Sequence, residues 1–293
     1  MQVVILLVLV GFALVLLRKK EYFKTTKWSS PKQAFPAKWR TILDQHVLYY
    51  AALSKSQQAL FESKVHEFLL NTQIKGVKIN IDDTDRILVA ASAVIPIFSF
   101  PEWRYTNLKE VLLYADTFNR EFQTTGPNRN ILGMVGYGFM EGKMCLSKKA
   151  LLHGFSNATD KRNTAIHEFI HLIDKIDGDI DGIPEVLIEN PNALPWVELI
   201  RNKIDEIYTK DSDINPYGGT NQAEFFAVVG EYFFERPLLL SKNHPKLYAT
   251  LEALFKQDMV SVDLAKRKKE TERNDPCWCG SGKKFKKCHL ILN

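Results

Sequence analysis

His167 and His171 lie four residues apart, and Glu168 directly follows the first histidine. Residues four apart share one face of an α-helix, so both imidazoles would point to one place, whereas Glu168 would be rotated from His167 by about 100°. Two imidazoles so placed can bind zinc, and the displaced carboxylate suits a general base acting on water. An ordinary amphipathic helix with two surface histidines would show the same short pattern.

Two residues could supply a third ligand, Asp177 and Glu224. Asp177 is at the position used by zincins with an extended HExxHxxGxxH/D motif, whose glycine turns the chain sharply. Here Asp174 replaces that glycine, so we expect the helix to continue and to carry Asp177 away. Glu224 would come from a second helix facing the first. It could equally serve as the capping-box partner of Asn221, three residues earlier.

Three of the four cysteines, Cys277, Cys279 and Cys288, cluster near the C-terminus with His289. Three thiolates and one imidazole can complete a tetrahedral structural zinc site, and a segment of about twenty residues needs such a crosslink to fold. This clustering favours a metal site in a reducing compartment over a disulfide framework. The alternative is a disordered basic tail with incidental cysteines.

The positive charge is concentrated at this end of the chain. Residues 266–293 carry nine Lys or Arg and three acidic residues, whereas the rest of the chain sums to −1. A basic tail can bind nucleic acid, acidic lipid or an acidic protein surface, and charge alone does not choose among them.

Residues 3–17 (VVILLVLVGFALVLL) are uninterruptedly apolar, and Arg18, Lys19 and Lys20 follow at once. With the two preceding residues the stretch reaches the lower limit of about 17 residues for a membrane-spanning helix. The positive flank predicts a single-pass anchor in a bacterial inner membrane, with the body of the chain in the cytoplasm. A buried core helix is the alternative.

The elements that must position these residues form a mostly helical α+β domain with a small sheet. Apolar periodicity and caps predict the following elements: a helix opened by a Ser54–Gln57 capping box, a buried helix capped by Asp82 or Asp83, a strand at 111–114, a hairpin at 132–147 and helices at about 159–177, 221–234 and 245–256. Residues 165, 169, 172 and 176 give the metal-binding helix an apolar stripe for packing.

Residues 163–184 (NTAIHEFIHLIDKIDGDIDGIP) and 217–237 (YGGTNQAEFFAVVGEYFFERP) resemble the Mlc titration factor A family of zinc peptidases, and the resemblance extends over about residues 36–260. The second segment is also similar to one in the catalytic domain of anthrax lethal factor. The resemblance implies a zincin-like fold, His167, His171 and Glu224 as ligands of a catalytic zinc ion, Glu168 as general base, and Tyr217 as the residue that stabilises the oxyanion. The two glycines after Tyr217 suggest a flexible loop.

The family resemblance implies a peptide or protein substrate. It also implies an alternative, a regulatory protein that sequesters a transcriptional repressor with little catalysis and without contacting DNA itself. The C-terminal cluster resembles the small SEC-C zinc motif of the secretion ATPase SecA, which implies a structural zinc ion and recruitment to a transcriptional, secretion or ribosome-associated protein.

The predicted order of segments is a membrane anchor at 1–20, a linker at 21–35, the peptidase domain at 36–260, a charged linker at 261–273 and the zinc knuckle at 274–293.

Overall fold

The computed structural model describes residues 28–157, 160–184, 193–263, 274 and 283–287. The helices are α1 (Ala37–His46), α2 (Leu48–Ala52), α3 (Lys55–Asn71), α4 (Asp83–Ile97), α5 (Lys148–Ser156), α6 (Thr164–Asp174), α7 (Ala193–Tyr208), α8 (Gln222–Glu235), α9 (Pro237–Asn243) and α10 (Pro245–Phe255). The strands are β1 (Gln73–Gly76), β2 (Glu110–Tyr114), β3 (Gly133–Val135) and β4 (Lys143–Ser147). This content confirms the expected mostly helical α+β fold with a small sheet.

The four strands form one mixed sheet in the order β1-β2-β4-β3. The first three strands in this order are parallel, and β3 lies antiparallel to β4 at the edge. Leu132 and Gly136 bond to β4, through Ser147 N to Leu132 O at 2.7 Å and Gly136 N to Lys143 O at 3.0 Å. Because backbone groups alternate in direction along a strand, Gly133 and Val135 present their N–H and C=O groups away from the sheet.

Helix α4 is the centre of the core. Its cap is a reciprocal box in which Asp82 accepts the Asp85 N–H and Asp85 accepts the Asp82 N–H, both at 3.0 Å. The helix is apolar on nearly all sides, as the sequence predicts, and residues 87–97 are buried. Such a helix is stable only when other elements cover every face, and α3 and α6 pack against it.

Helices α6 and α8 approach each other closely. A Cβ on Gly230 of α8 would lie 2.2 Å from Cδ1 of Ile170 in α6, so any larger residue here would force the Ile170 side chain to move. The separation of the two helices matters for function, because each carries part of the candidate metal site.

Most predicted elements are confirmed with small shifts. The Ser54 capping box is present, the predicted strand is β2, and the predicted hairpin is formed by β3 and β4. Strand β1 and the parallel arrangement of β1, β2 and β4 were not predicted, since parallel pairing has no local sequence signature.

Three predictions lie outside the described residues: the anchor at 1–20, the ligands Cys277, Cys279, Cys288 and His289, and most of the linkers. Within the described residues, no helix combines the length and apolar character that a membrane span requires. The segment boundaries therefore stay predictions.

Candidate active site

Helix α6 presents the two histidines on one face and its packing residues on another. Asn163 caps the helix by accepting the Ile166 N–H at 3.2 Å. Of the predicted apolar stripe, Ala165, Phe169 and Leu172 are at most 1% exposed. The α-helix begins five residues later than predicted, at Thr164, and ends at Asp174.

Beyond Asp174 the chain continues in a 3-10 turn, Lys175–Asp177, and does not bend sharply. This is close to the expectation, because the chain remains helical although the α-helix itself ends. Among the described residues, Asp177 is not part of the cluster that could hold a metal ion. The cluster consists of the other candidates, His167, His171 and Glu224.

The three candidate ligands form a triangle of donor atoms. The Nε2 atoms of His167 and His171 are 3.1 Å apart, and Glu224 Oε2 lies 3.1 Å from the first and 3.5 Å from the second. A zinc ion with bonds of about 2.0–2.1 Å in tetrahedral geometry separates its ligand atoms by about 3.4 Å. The triangle therefore fits zinc, and the site's opening to the cleft leaves the fourth position to water or substrate.

Glu224 reaches this triangle from the first turn of α8. Asn221 accepts the Glu224 N–H at 2.9 Å, so the predicted N-cap is present. The Glu224 carboxylate, however, turns to the two histidines. Burial would raise its pKa, but hydrogen bonds from His167 and His171 outweigh burial and lower the pKa below its usual range. Glu224 is therefore an anion at neutral pH, as a metal ligand must be.

Glu231 orients His167 from behind, a role that sequence reasoning missed. Its Oε1 lies 2.6 Å from His167 Nδ1, and its Oε2 accepts the Asn163 backbone N–H at 2.7 Å. Burial lowers the pKa of His167, but the charge of Glu231 and the hydrogen bonds to Glu224 and Glu231 raise it to about 10. The contact with Glu231 holds the proton on Nδ1, so Nε2 faces the site. Carboxylates commonly fix metal-binding histidines in this way. Glu231 lies seven residues, two helical turns, after Glu224, and that spacing could have identified it.

Glu168 is buried between the histidines and the sheet edge. A Cβ on Gly133 of β3 would lie 2.5 Å from Glu168 Oε1, so the absence of a side chain admits the carboxylate against the strand. Burial and the charges of Glu224 and Glu231 raise the Glu168 pKa, the charge of His167 and the Val135 backbone N–H lower it, and the net result is a pKa of about 7. A divalent cation on the neighbouring ligands would lower it again. Glu168 is thus placed to accept and return a proton near neutral pH.

Tyr217 lies over the metal triangle on a 3-10 helix, Pro216–Gly219. Its ring centroid is 6.1 Å from that of His167, and the side chain is half-exposed. Burial, followed by the charge of Glu224, raises its pKa to about 12, so the hydroxyl is a hydrogen-bond donor at neutral pH.

The glycines after Tyr217 do not form an open loop. Gly218 and Gly219 are buried, and a Cβ on Gly218 would lie 3.2 Å from Val228. Tyr208 also donates from its hydroxyl to Gly219 O at 2.7 Å. The glycines allow close packing that holds the Tyr217 backbone in place, whereas the sequence analysis interpreted them as a sign of flexibility.

All these groups line one cleft of about 770 Å³. The outward backbone groups of Gly133 and Val135 form part of its wall, beside Glu168. The cleft therefore combines three groups that could hold a metal ion, a buried carboxylate, a phenol donor and an exposed strand edge.

This combination, a helix with two histidines and a glutamate, a carboxylate from a second helix and a bordering sheet edge, is typical of metallopeptidases. The profile of the family described as glucose-regulated metallo-peptidase M90 matches residues 20–256. This chain belongs to that family. The profile of the SEC-C motif matches residues 273–290, which include the four predicted ligands of the C-terminal knuckle.

Curated relatives agree with this assignment. An uncharacterized protein of Synechocystis sp. is 28% identical over 236 residues, covering 76% of this chain and 85% of that protein. The Mlc titration factor A of Serratia proteamaculans is 33% identical over 189 residues, covering 59% of this chain and 69% of that protein. That of Edwardsiella ictaluri is 33% identical over 186 residues, covering 58% and 68%.

Proposed function

We propose that this chain is a zinc-dependent peptidase whose zinc is held by His167, His171 and Glu224. The observation that carries the proposal is the donor triangle with sides of 3.1, 3.1 and 3.5 Å. Its dimensions match a zinc site, and Glu168 lies directly beside it against the edge of the sheet. An ordinary amphipathic helix with surface histidines has no reason to bury all of these groups together.

Bound zinc would supply Lewis acidity toward the scissile carbonyl and the attacking water. Glu168 accepts the proton of that water and passes it to the departing amine, a transfer suited to a carboxyl group whose pKa lies near neutrality. The Tyr217 hydroxyl donates a hydrogen bond to the developing oxyanion. Gly133 and the Val135 carbonyl bind the substrate backbone as an added strand, which aligns the scissile carbonyl with the three candidate ligands.

Substitution of Glu168 by Gln tests this proposal. The change preserves shape but removes the base, so hydrolysis of a peptide panel should fall by about 10²–10⁴-fold while zinc content and melting temperature persist. Glu198→Gln, an exposed residue on α7, is the matched control and should behave as wild type. Equal cleavage by wild type and Glu168→Gln, or no cleavage by either, would exclude the proposed peptidase activity.

A regulatory function is the second candidate, and the name shared by several relatives supports it. In this view the domain binds a transcriptional repressor and holds it off DNA, with its cleft contributing little. A pull-down of the repressor by Glu168→Gln as efficient as by wild type, together with an inert wild type, would favour this candidate over peptidase activity.

The SEC-C match supports a second, structural zinc ion bound by Cys277, Cys279, Cys288 and His289. This segment would recruit a protein partner. The apolar N-terminal segment would hold the protein in the inner membrane with its catalytic domain in the cytoplasm, and fractionation of cells expressing the full chain tests that location.

A further inference from the structure

Two arginines, Arg120 and Arg162, line the cleft with their charges uncompensated. Both are exposed, and neither guanidinium forms an ion pair or side-chain hydrogen bond with any residue in the described part of the chain. The carboxylates that line the same cleft are Glu168, Glu224 and Glu231, and all three belong to the metal site. The two arginines therefore face the space that a substrate would occupy.

The direction of β3 relative to α6 shows which end of the cleft they occupy. Gly133 lies against Glu168, and Gly136 O accepts a hydrogen bond from Lys175 Nζ at 2.8 Å. Seven helical residues and three strand residues each span about 10 Å, so strand and helix run side by side in the same direction. Positions before Gly133 on the strand thus lie level with positions before Glu168 on the helix.

Both arginines lie near the N-terminal ends of β3 and α6. Arg120 is in the turn after Phe118, which pairs with Ile131 through hydrogen bonds of 3.1 and 3.0 Å. Ile131 precedes Gly133 by two residues, about 7 Å along a strand. Arg162 directly precedes Asn163, the N-cap of α6, and Asn163 lies five residues, about 7.5 Å at helical rise, before Glu168. The two arginines therefore lie toward the same end of the cleft, where their long side chains can reach a group roughly two to three substrate residues from the candidate ligands.

The direction in which a peptide pairs with β3 determines which end of the peptide lies near Arg120 and Arg162. The outer edge of β3 offers the backbone groups of Gly133 and the Val135 carbonyl to an incoming strand, because the Val135 N–H is engaged by Glu168. Antiparallel pairing is the more stable and more common arrangement. An antiparallel peptide runs opposite to β3, so its C-terminal residues extend past Ile131 toward the arginines. The residues on the leaving-group side of the scissile bond are those that meet positive charge.

We propose that the cleft selects peptides with a carboxylate two to three residues on the C-terminal side of the cleaved bond, held by Arg120 and Arg162. The carboxylate is either the free C-terminus of a short peptide or an acidic side chain in a longer one. Planar guanidinium groups match carboxylates in geometry, which supports this ligand class. The inference rests on the proposed peptidase function and deepens it.

The test compares three peptides of one sequence: a free-acid form, an amidated form, and an amidated form with Glu for Gln near its end. Hydrolysis by wild type is followed with the cut position read by mass spectrometry, and binding is measured with the zinc-loaded Glu168→Gln chain. Both are repeated with Arg120→Gln/Arg162→Gln and with Arg201→Gln, a control that removes an exposed charge away from the cleft.

We expect either carboxylate form to be preferred over the neutral peptide by about ten-fold in kcat/KM and in Kd, the effect of one charge-assisted hydrogen-bonded pair. The double variant should lose this preference, and the Arg201 variant should keep it. A preference confined to the free acid identifies the C-terminus as the ligand, and one shared by the internal Glu identifies any carboxylate. Equal treatment of all three peptides by wild type, or an unchanged preference in the double variant, overturns the inference.

The two proposals fail separately. If wild type hydrolyses all three peptides equally, the proposed preference for a carboxylate is wrong and the proposed peptidase activity stands. Arginine-dependent binding of the acidic peptides without hydrolysis by wild type overturns the peptidase and keeps the carboxylate site.

Discussion

Replacing Glu231 by Gln tests whether the metal triangle depends on a carboxylate that does not touch the metal. The wild-type carboxylate accepts two hydrogen bonds, from His167 Nδ1 at 2.6 Å and from the Asn163 backbone N–H at 2.7 Å. Glutamine has one acceptor and one donor group at the same place. If its oxygen faces His167, its NH₂ faces the Asn163 N–H, donor against donor, and the reverse orientation leaves His167 without its partner.

The expected loss follows from these two contacts. Removing a carboxylate partner of a metal-binding histidine weakens metal affinity by about 10–100-fold, or about 1.4–2.7 kcal/mol. A buried donor left without an acceptor destabilises the fold by about 1–3 kcal/mol, and each kcal/mol lowers the melting temperature of a domain this size by about 2–4 °C. Glu231→Gln should therefore bind zinc more weakly and, before metal is added, melt several degrees lower.

Zinc affinity is measured by competition with a chromophoric chelator and stability by calorimetry on the metal-free protein. Glu235→Gln is the matched control, because Glu235 lies one turn further along α8 and accepts from Asn163 Nδ2 at 3.0 Å without contacting His167. Its affinity should equal that of wild type. A Glu231→Gln chain with unchanged zinc affinity, or an equal loss in the control, would refute the positioning argument.

Three further changes have defined outcomes. Tyr217→Phe should lower kcat by about 10²-fold with unchanged zinc affinity, since it removes one oxyanion donor; an unchanged kcat in peptide assays contradicts that role. Burial raises the pKa of Asp213, but hydrogen bonds from Lys161 and His244 outweigh it and hold the pKa below its ordinary value. Asp213 therefore stabilises the fold above about pH 3.9, and this contribution is lost as the pH falls through its folded pKa. Asp213→Asn should melt lower at neutral pH and converge with wild type in acid, and parallel melting curves across pH would refute this. Deleting residues 274–293 should reduce zinc from two ions to one per chain by elemental analysis, and a single ion that survives the deletion would exclude the structural site.

Features that depend on neighbouring residues could be predicted from the sequence. The caps at Ser54, Asp82 and Asn221 are formed as expected, because a cap joins residues three apart. The His167–His171 pair is likewise a consequence of helical pitch. Local spacing also placed the β3–β4 hairpin, whose strands are close in sequence.

Features that depend on packing were predicted poorly or not at all. Glu231 and His167 are 64 residues apart, and no local pattern predicts the hydrogen bond between the carboxylate and the imidazole. The glycines after Tyr217 were interpreted as flexible, although they are packed, because a glycine that permits motion and one that permits contact look identical in sequence.

The sequence by itself determined the chemistry available to this protein: two imidazoles at helical spacing, an adjacent carboxylate, and a choice between two third ligands. Only the tertiary structure decided how that chemistry is assembled. The close crossing of α6 and α8 at Gly230 brings Glu224 and Glu231 to His167, and the position of β3 places the edge of the sheet beside the site. The physical reason is range, since spacing within one helix follows from its pitch, whereas distances between elements follow from the packing of the whole core.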